Sequence, residues 1–230
     1  MTLLLWSTRW SIPFDEGSPI RFETMNSQGS QSDSALLGEL WSQWATFGAG
    51  LGSPHWHSAT RLPGWTMKEL FAHVARSVHV LRDAPILPSG SVATVGSAAS
   101  YFRSFANWSE AASRQVDTTA KTTAAEVAQG DLVDWLALDG PAVVEASQTA
   151  GSQVIRTVAG TIRTSDYVLT RVVEASVHLL DAHEAIDTAP EPQSAALDRV
   201  IDVLIELVGT RPFIEYATGR SSKTIFPILT

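Results

Sequence analysis

Glu174 and His178 stand four residues apart. On an α-helix that spacing sends both side chains off one face, a turn apart, where they can meet a single ion. Helical bundles build metal sites from such pairs. At about 100° per residue, Tyr167, Arg171, Glu174, His178 and Asp181 fall in one narrow sector, opposite Val168, Leu169, Val172, Val173, Leu179 and Leu180. Periodicity alone reads this stripe as the wet face of an amphipathic helix. Its composition argues otherwise, because it contains no Lys and consists of types that coordinate, bridge or titrate.

A third ligand must come from elsewhere in the chain. On a helix beginning near Met67, His73 shares a sector with Leu70, Ser77, Val80 and Ala84 and points inward, whereas His79 sits with Lys68, Arg76, Arg82 and Asp83 and points outward. A lone inward histidine is more often a hydrogen-bonded core residue than a ligand. His55 and His57 lie in a proline-containing loop with no third ligand nearby, and His183 falls on the apolar side of its helix. These three are read as structural.

The elements that carry these residues are helical. Leu36, Leu37, Leu40, Trp41, Trp44 and Phe47 recur at three and four, marking a helix from Ala35 to Leu51 that Gly48, Gly50 and Gly52 end. After the Pro63-Gly64 turn, Thr66 and Glu69 have capping-box spacing, which predicts a second helix over about Met67 to Asp83. A third stretch runs from about Ala98 to Ala120, and a fourth from Glu126 to Thr149 is interrupted near Gly140-Pro141. Ser165 caps a helix from Asp166 to about Ile186, and a last one spans Gln193 to Thr218 with Leu197, Val200, Ile201, Leu204, Ile205 and Val208 as its apolar stripe. Val154 to Arg163 is β-branched and reads as a short strand or extended loop, too little to form a sheet by itself. Long helices with short links mean an all-α bundle. Trp41, Trp44, Trp108 and Trp135 lie in the helical stretches, where packing is their simplest use.

Residues 1–34 have no periodicity, and the polar run from Asn26 to Ser34 reads as a flexible extension, with Met25 as an alternative start. The bundle is expected over residues 35–220 and a tail over residues 221–230. The 230 residues carry 16 Lys+Arg against 24 Asp+Glu, a net charge of -8 with no basic cluster, which argues against nucleic acid. No uncharged apolar run approaches the roughly 18 residues of a membrane span, so a cytoplasmic protein is expected, as a monomer or homodimer. Cysteine is absent. That removes disulfides, thiolate metal sites and a protein-borne cysteine nucleophile together, so any thiol chemistry must use an external thiol.

Two separated segments resemble a known family. Thr60-Arg-Leu-Pro-Gly-Trp-Thr-Met-Lys-Glu-Leu-Phe-Ala-His73 is similar to the segment of the mycothiol-dependent maleylpyruvate isomerase N-terminal domain family in which a Pro-Gly-Trp turn leads into a helix bearing a metal histidine. The stretch from Asp166 to Asp181 is similar to that family's Arg, Glu, His and Asp pattern on one helix. With Gly160 and the run from Ala217 to Arg220, the resemblance covers about residues 34–220. It implies a DinB-like four-helix bundle, a divalent metal, expected to be zinc, on His73, Glu174 and His178, and mycothiol or a similar thiol as co-substrate. It also implies that the polar stripe faces His73 across a cleft.

Three protein ligands leave zinc a fourth position for water or substrate, as in catalytic sites. A thiol entering that position would ionise. Asp181 is then a candidate acceptor for an imidazole N–H or a general base, and Arg171 a holder of an anionic group. Arg220, through the resemblance, and Arg103, through its place among aromatics, are candidates for binding an acidic thiol or substrate. The isomerase has a further C-terminal domain, which residues 221–230 are too few to supply, so the electrophilic substrate stays open. The expectation is a thiol transferase or isomerase-like enzyme. The alternative is a non-catalytic, metal-stabilised binding or regulatory module, which the fold does not exclude.

Overall fold

The computed structural model describes residues 31–105 and 110–221. The expectations for residues 1–30, including a start at Met25, for Trp108 and for the tail beyond Ser221 lie outside the described residues.

Among the described residues, α-helices and one hairpin follow in the order α1 Asp33–Gly50, α2 Ser53–Trp56, α3 Met67–Arg82, α4 Ala98–Phe105, α5 Glu110–Glu126, α6 Gln129–Asp134, α7 Gly140–Thr149, β1 Val154–Thr157, β2 Gly160–Arg163, α8 Thr164–Ala185, α9 Ser194–Val208 and α10 Thr210–Ala217. Helices α1, α3, α7 and α8 pack on one another as the bundle, while α4 and α9 flank α8 and α5 lies against α3. The expected all-α bundle is the fold of the chain.

Local chemistry explains the boundaries that position the site. Ser32 accepts the Ala35 N–H at 3.2 Å and starts α1. The Glu69 carboxylate accepts from both the backbone N–H and the hydroxyl of Thr66, fixing where α3 begins. Leu37, Leu40, Trp41 and Trp44 of α1 and Met67, Leu70 and Phe71 of α3 are fully buried in the bundle core, the Leu, Met and Phe side chains each stabilising by roughly 1.5–3 kcal/mol when removed from water. Trp44 spends its polar edge on α8, donating Nε1–H to the Ala175 carbonyl at 3.0 Å.

Several expectations are corrected. The stretch over Ala98 to Ala120 is helical over the described residues Ala98–Phe105 and again from Glu110, and runs on past Ala120 to Glu126. The interruption near Gly140-Pro141 is a π-helical turn over Trp135–Asp139, with Gly140 N–H bonded to the Trp135 carbonyl, so α6 and α7 stay joined. Pro141 has no N–H for the carbonyl of Ala137, and one extra residue in the turn moves that carbonyl off the proline ring. The last helix breaks at Gly209, whose φ of 89° ends α9, because Pro212 can neither donate to the Val208 carbonyl nor avoid it.

Residues 154–163 do form a sheet by themselves, an antiparallel hairpin pairing Val154 with Arg163 and Thr157 with Gly160. Its tight turn needs Gly160 at φ 124°, and Thr157 Oγ1 donates to the Gly160 carbonyl at 2.9 Å. The hairpin runs straight into α8, so that helix begins at Thr164, two residues before Asp166.

Candidate metal centre

Helix α8 is covered on several sides, by α1, α3, α4, α7 and α9. Its polar stripe therefore lies inside the molecule, with Tyr167 and Asp181 buried, and the wet-face reading is overturned. The stripe meets His73 of α3 across the bundle. His73 Nε2 lies 3.3 Å from Glu174 Oε2, and His178 Nε2 lies 3.4 Å from the same oxygen. The two imidazole rings stand nearly perpendicular, 89° apart, with centroids 5.0 Å apart. One ligand atom from each residue lies within 4.8 Å of the other two, and among the described residues this is the one such cluster of His, Asp and Glu.

The three side chains keep 23%, 29% and 16% of their surface for His73, Glu174 and His178. The cluster is thus sheltered without being sealed. Two imidazole nitrogens and a carboxylate oxygen form a donor set suited to a borderline divalent ion such as zinc.

Electrostatics divide the three groups. Burial pushes His73 down, against its hydrogen bond to Glu174, so its imidazole is neutral. Burial also disfavours charge on Glu174, but hydrogen bonds from His178 and His73 and the field of Arg171 hold it well below the usual carboxylate range. Burial disfavours the His178 imidazolium too, yet its bonds to Asp181 and Glu174 prevail and raise it to about 9.

Asp181 lies beside His178, accepting at Oδ2 from Nδ1 at 2.8 Å. Its other oxygen accepts from Arg61 Nε. Burial raises the Asp181 carboxyl, and these two donors more than reverse that.

Arg171 lies one turn before Glu174, its guanidinium carbon 5.0 Å above the Tyr167 ring and its Nε donating to Thr170 Oγ1 at 3.1 Å. Burial works against its charge, which the fields of Tyr167 and Glu174 restore. Among the described residues no carboxylate pairs with it directly. Tyr101 of α4 stacks edge-on against Tyr167 at 5.5 Å, and burial keeps its phenol protonated.

The structure does not bring Arg103 or Arg220 into this cluster. Arg103 Nη2 donates to the carbonyls of Glu206 and Leu207 and closes the end of α9, and Arg220 Nη1 donates to the Thr218 carbonyl. Arg103 answers the orphan carbonyls of a helix terminus, which nothing in its own neighbourhood of sequence reveals. His79 faces away from the triad as expected, but it is not simply outward: its ring packs 4.2 Å from Trp135 in the π turn and its Nε2 lies 3.5 Å from Asp139.

Residues that the sequence reading passed over surround the triad. Arg61 belongs to a motif already singled out, and an inward Asp181 demands a cation, which was the available signal. Trp65 lies edge-on to His73 at 5.4 Å and donates Nε1–H to Asp117 Oδ1 at 2.7 Å.

Comparison with known proteins reaches the level of family. No curated protein sequence matches the chain. Two crystal structures of the mycothiol-dependent maleylpyruvate isomerase, the first from a histidine-to-alanine mutant, are 14% and 17% identical to it, with TM-scores of 0.48 and 0.46. Each aligns over 75% of this chain, which spans 66% of the length of the other. The family model described as the mycothiol maleylpyruvate isomerase N-terminal domain matches residues 37–183, a span that contains His73, Glu174, His178 and Asp181. The chain belongs to that family.

Proposed function

We propose that this chain is a metal-dependent enzyme that activates an external low-molecular-weight thiol, mycothiol or a close relative. The thiol is transferred to an electrophilic small molecule or assists its isomerisation. The observation that carries the reading is the convergence of His73, Glu174 and His178, from two helices, on one partly accessible point. Family membership supports it, and so does the absence of cysteine from all 230 residues, since the sulfur must then arrive with a co-substrate.

In this reading His73, Glu174 and His178 hold a divalent ion, zinc by donor type. Such an ion supplies positive charge beside sulfur and favours the thiolate at neutral pH. Asp181 holds the His178 ring through Nδ1 and so directs Nε2 at the site. Arg171, charged and without a paired carboxylate among the described residues, holds an anionic group of the thiol or the acceptor.

The test is turnover of maleylpyruvate and of model electrophiles with mycothiol, with other thiols and with none, before and after removal of metal. The reading expects turnover that requires both thiol and metal. Tight metal binding with no thiol-dependent turnover of any acceptor would replace it with a metal-stabilised binding module.

A further inference from the structure

The two histidines of the triad belong to different helices, yet one short loop touches the surroundings of both. Residues 58–66 close on themselves: Met67 N–H bonds the Ser58 carbonyl at 2.9 Å and Thr60 N–H bonds the Trp65 carbonyl at 3.0 Å. Gly64, at φ 77°, makes the turn between them. A loop closed by its own backbone bonds is a firm support for side chains.

From one end of this loop Arg61 reaches α8 and donates to Asp181 Oδ1, while Asp181 Oδ2 accepts from His178. Arg61 is half exposed and the Asp181 side chain only 5% exposed, so the contact ties a surface loop to a buried anchor. From the other end Trp65 stands edge-on to His73. The indole is itself fixed, since Nε1–H donates to Asp117 of α5, which also pairs with Lys121 at 2.8 Å.

The two histidines need these supports for different reasons. His178 has a carboxylate on its second nitrogen, and without Arg61 that carboxylate keeps one bond and can swing about it. His73 has no such acceptor among the described residues. Its ring direction is set by packing, between the Trp65 edge and the perpendicular ring of His178.

We propose that the 58–66 loop is the positioning device of the centre, with Arg61 orienting His178 through Asp181 and Trp65, held by Asp117, orienting His73. The inference rests on the metal reading of the triad. Outer partners of metal ligands commonly change affinity by 10–100-fold when removed. The two supports act on different ligands, so losing both should weaken the ion more than losing either, while the contact between the two imidazole rings couples their effects.

The experiment measures zinc affinity by competition with a chelator and the visible absorption of the cobalt-loaded protein, using the full chain. Arg61→Ala and Trp65→Ala should each weaken zinc about tenfold and shift the cobalt bands, with Arg61→Lys recovering part of the loss. The double variant should bind zinc more weakly than either single variant, by up to about a hundredfold. A double variant no weaker than either single one, or single variants with wild-type affinity and cobalt spectra, overturns the proposal. If Trp65→Ala does not fold, Asp117→Ala frees the indole without emptying its place, and an unchanged cobalt spectrum there removes the Trp65 arm. No metal uptake by the wild-type chain overturns the metal reading and this inference with it. Uptake that no variant alters overturns this inference alone.

Discussion

Asp181 accepts a hydrogen bond from Nδ1 of His178 at 2.8 Å, one turn along the same helix. That bond assigns the Nδ1 proton and turns Nε2 toward Glu174, so a buried carboxylate outside the triad fixes the ring of one of its members.

Removing it should be felt first in metal affinity. Asp181→Ala is expected to weaken zinc by about 10–100-fold, measured by chelator competition. Unchanged affinity would reduce Asp181 to a counter-ion for Arg61.

The charges of the triad make a second expectation. In the metal-free protein His73 is neutral and Glu174 ionised, while His178, raised to about 9, is protonated at neutral pH. An ion must displace that proton. Calorimetry at pH 7.5 in buffers of different ionisation enthalpy should show about one proton released from the ligands per ion bound, and affinity should rise with pH until near 9. In the metal-free fold the same raised value stabilises fully below the unfolded pKa of about 6.5 and is lost as pH rises through about 9. Metal-free melting temperature should therefore fall over that window while metal affinity climbs.

Packing of α1 against α3 gives a third. A Cβ on Gly48 would come within 2.6 Å of the Phe71 ring and 2.9 Å of Val133. Gly48→Ala should cost about 1–3 kcal/mol by overpacking, read from urea unfolding. A cost near zero would mean that α1 can shift away from α3.

How much of this was legible depends on what each feature needs. Local signals reach the α3 start, because Thr66 and Glu69 are three apart and cap each other. They also reach the triad, because Glu174 and His178 share one helix and His73 follows a recognisable turn. Helix-wheel arithmetic could not decide whether the stripe on α8 was wet, since that depends on α3 and α4 covering it from distant parts of the chain. Arg61 carries no periodic signal and acquires meaning only through Asp181, 120 residues away. The π turn and the break at Gly209 follow from Pro141 and Pro212 at fixed offsets from particular carbonyls, visible in sequence once the proline clash is counted backwards by four residues.

The central claim is that His73, Glu174 and His178 hold one ion together, and metal content after purification tests it most directly. The wild-type chain should carry one divalent ion per molecule by elemental analysis. His73→Ala should lose it, while His79→Ala, on the same helix against Trp135, should keep it. Equal metal in wild type and His73→Ala would contradict the account.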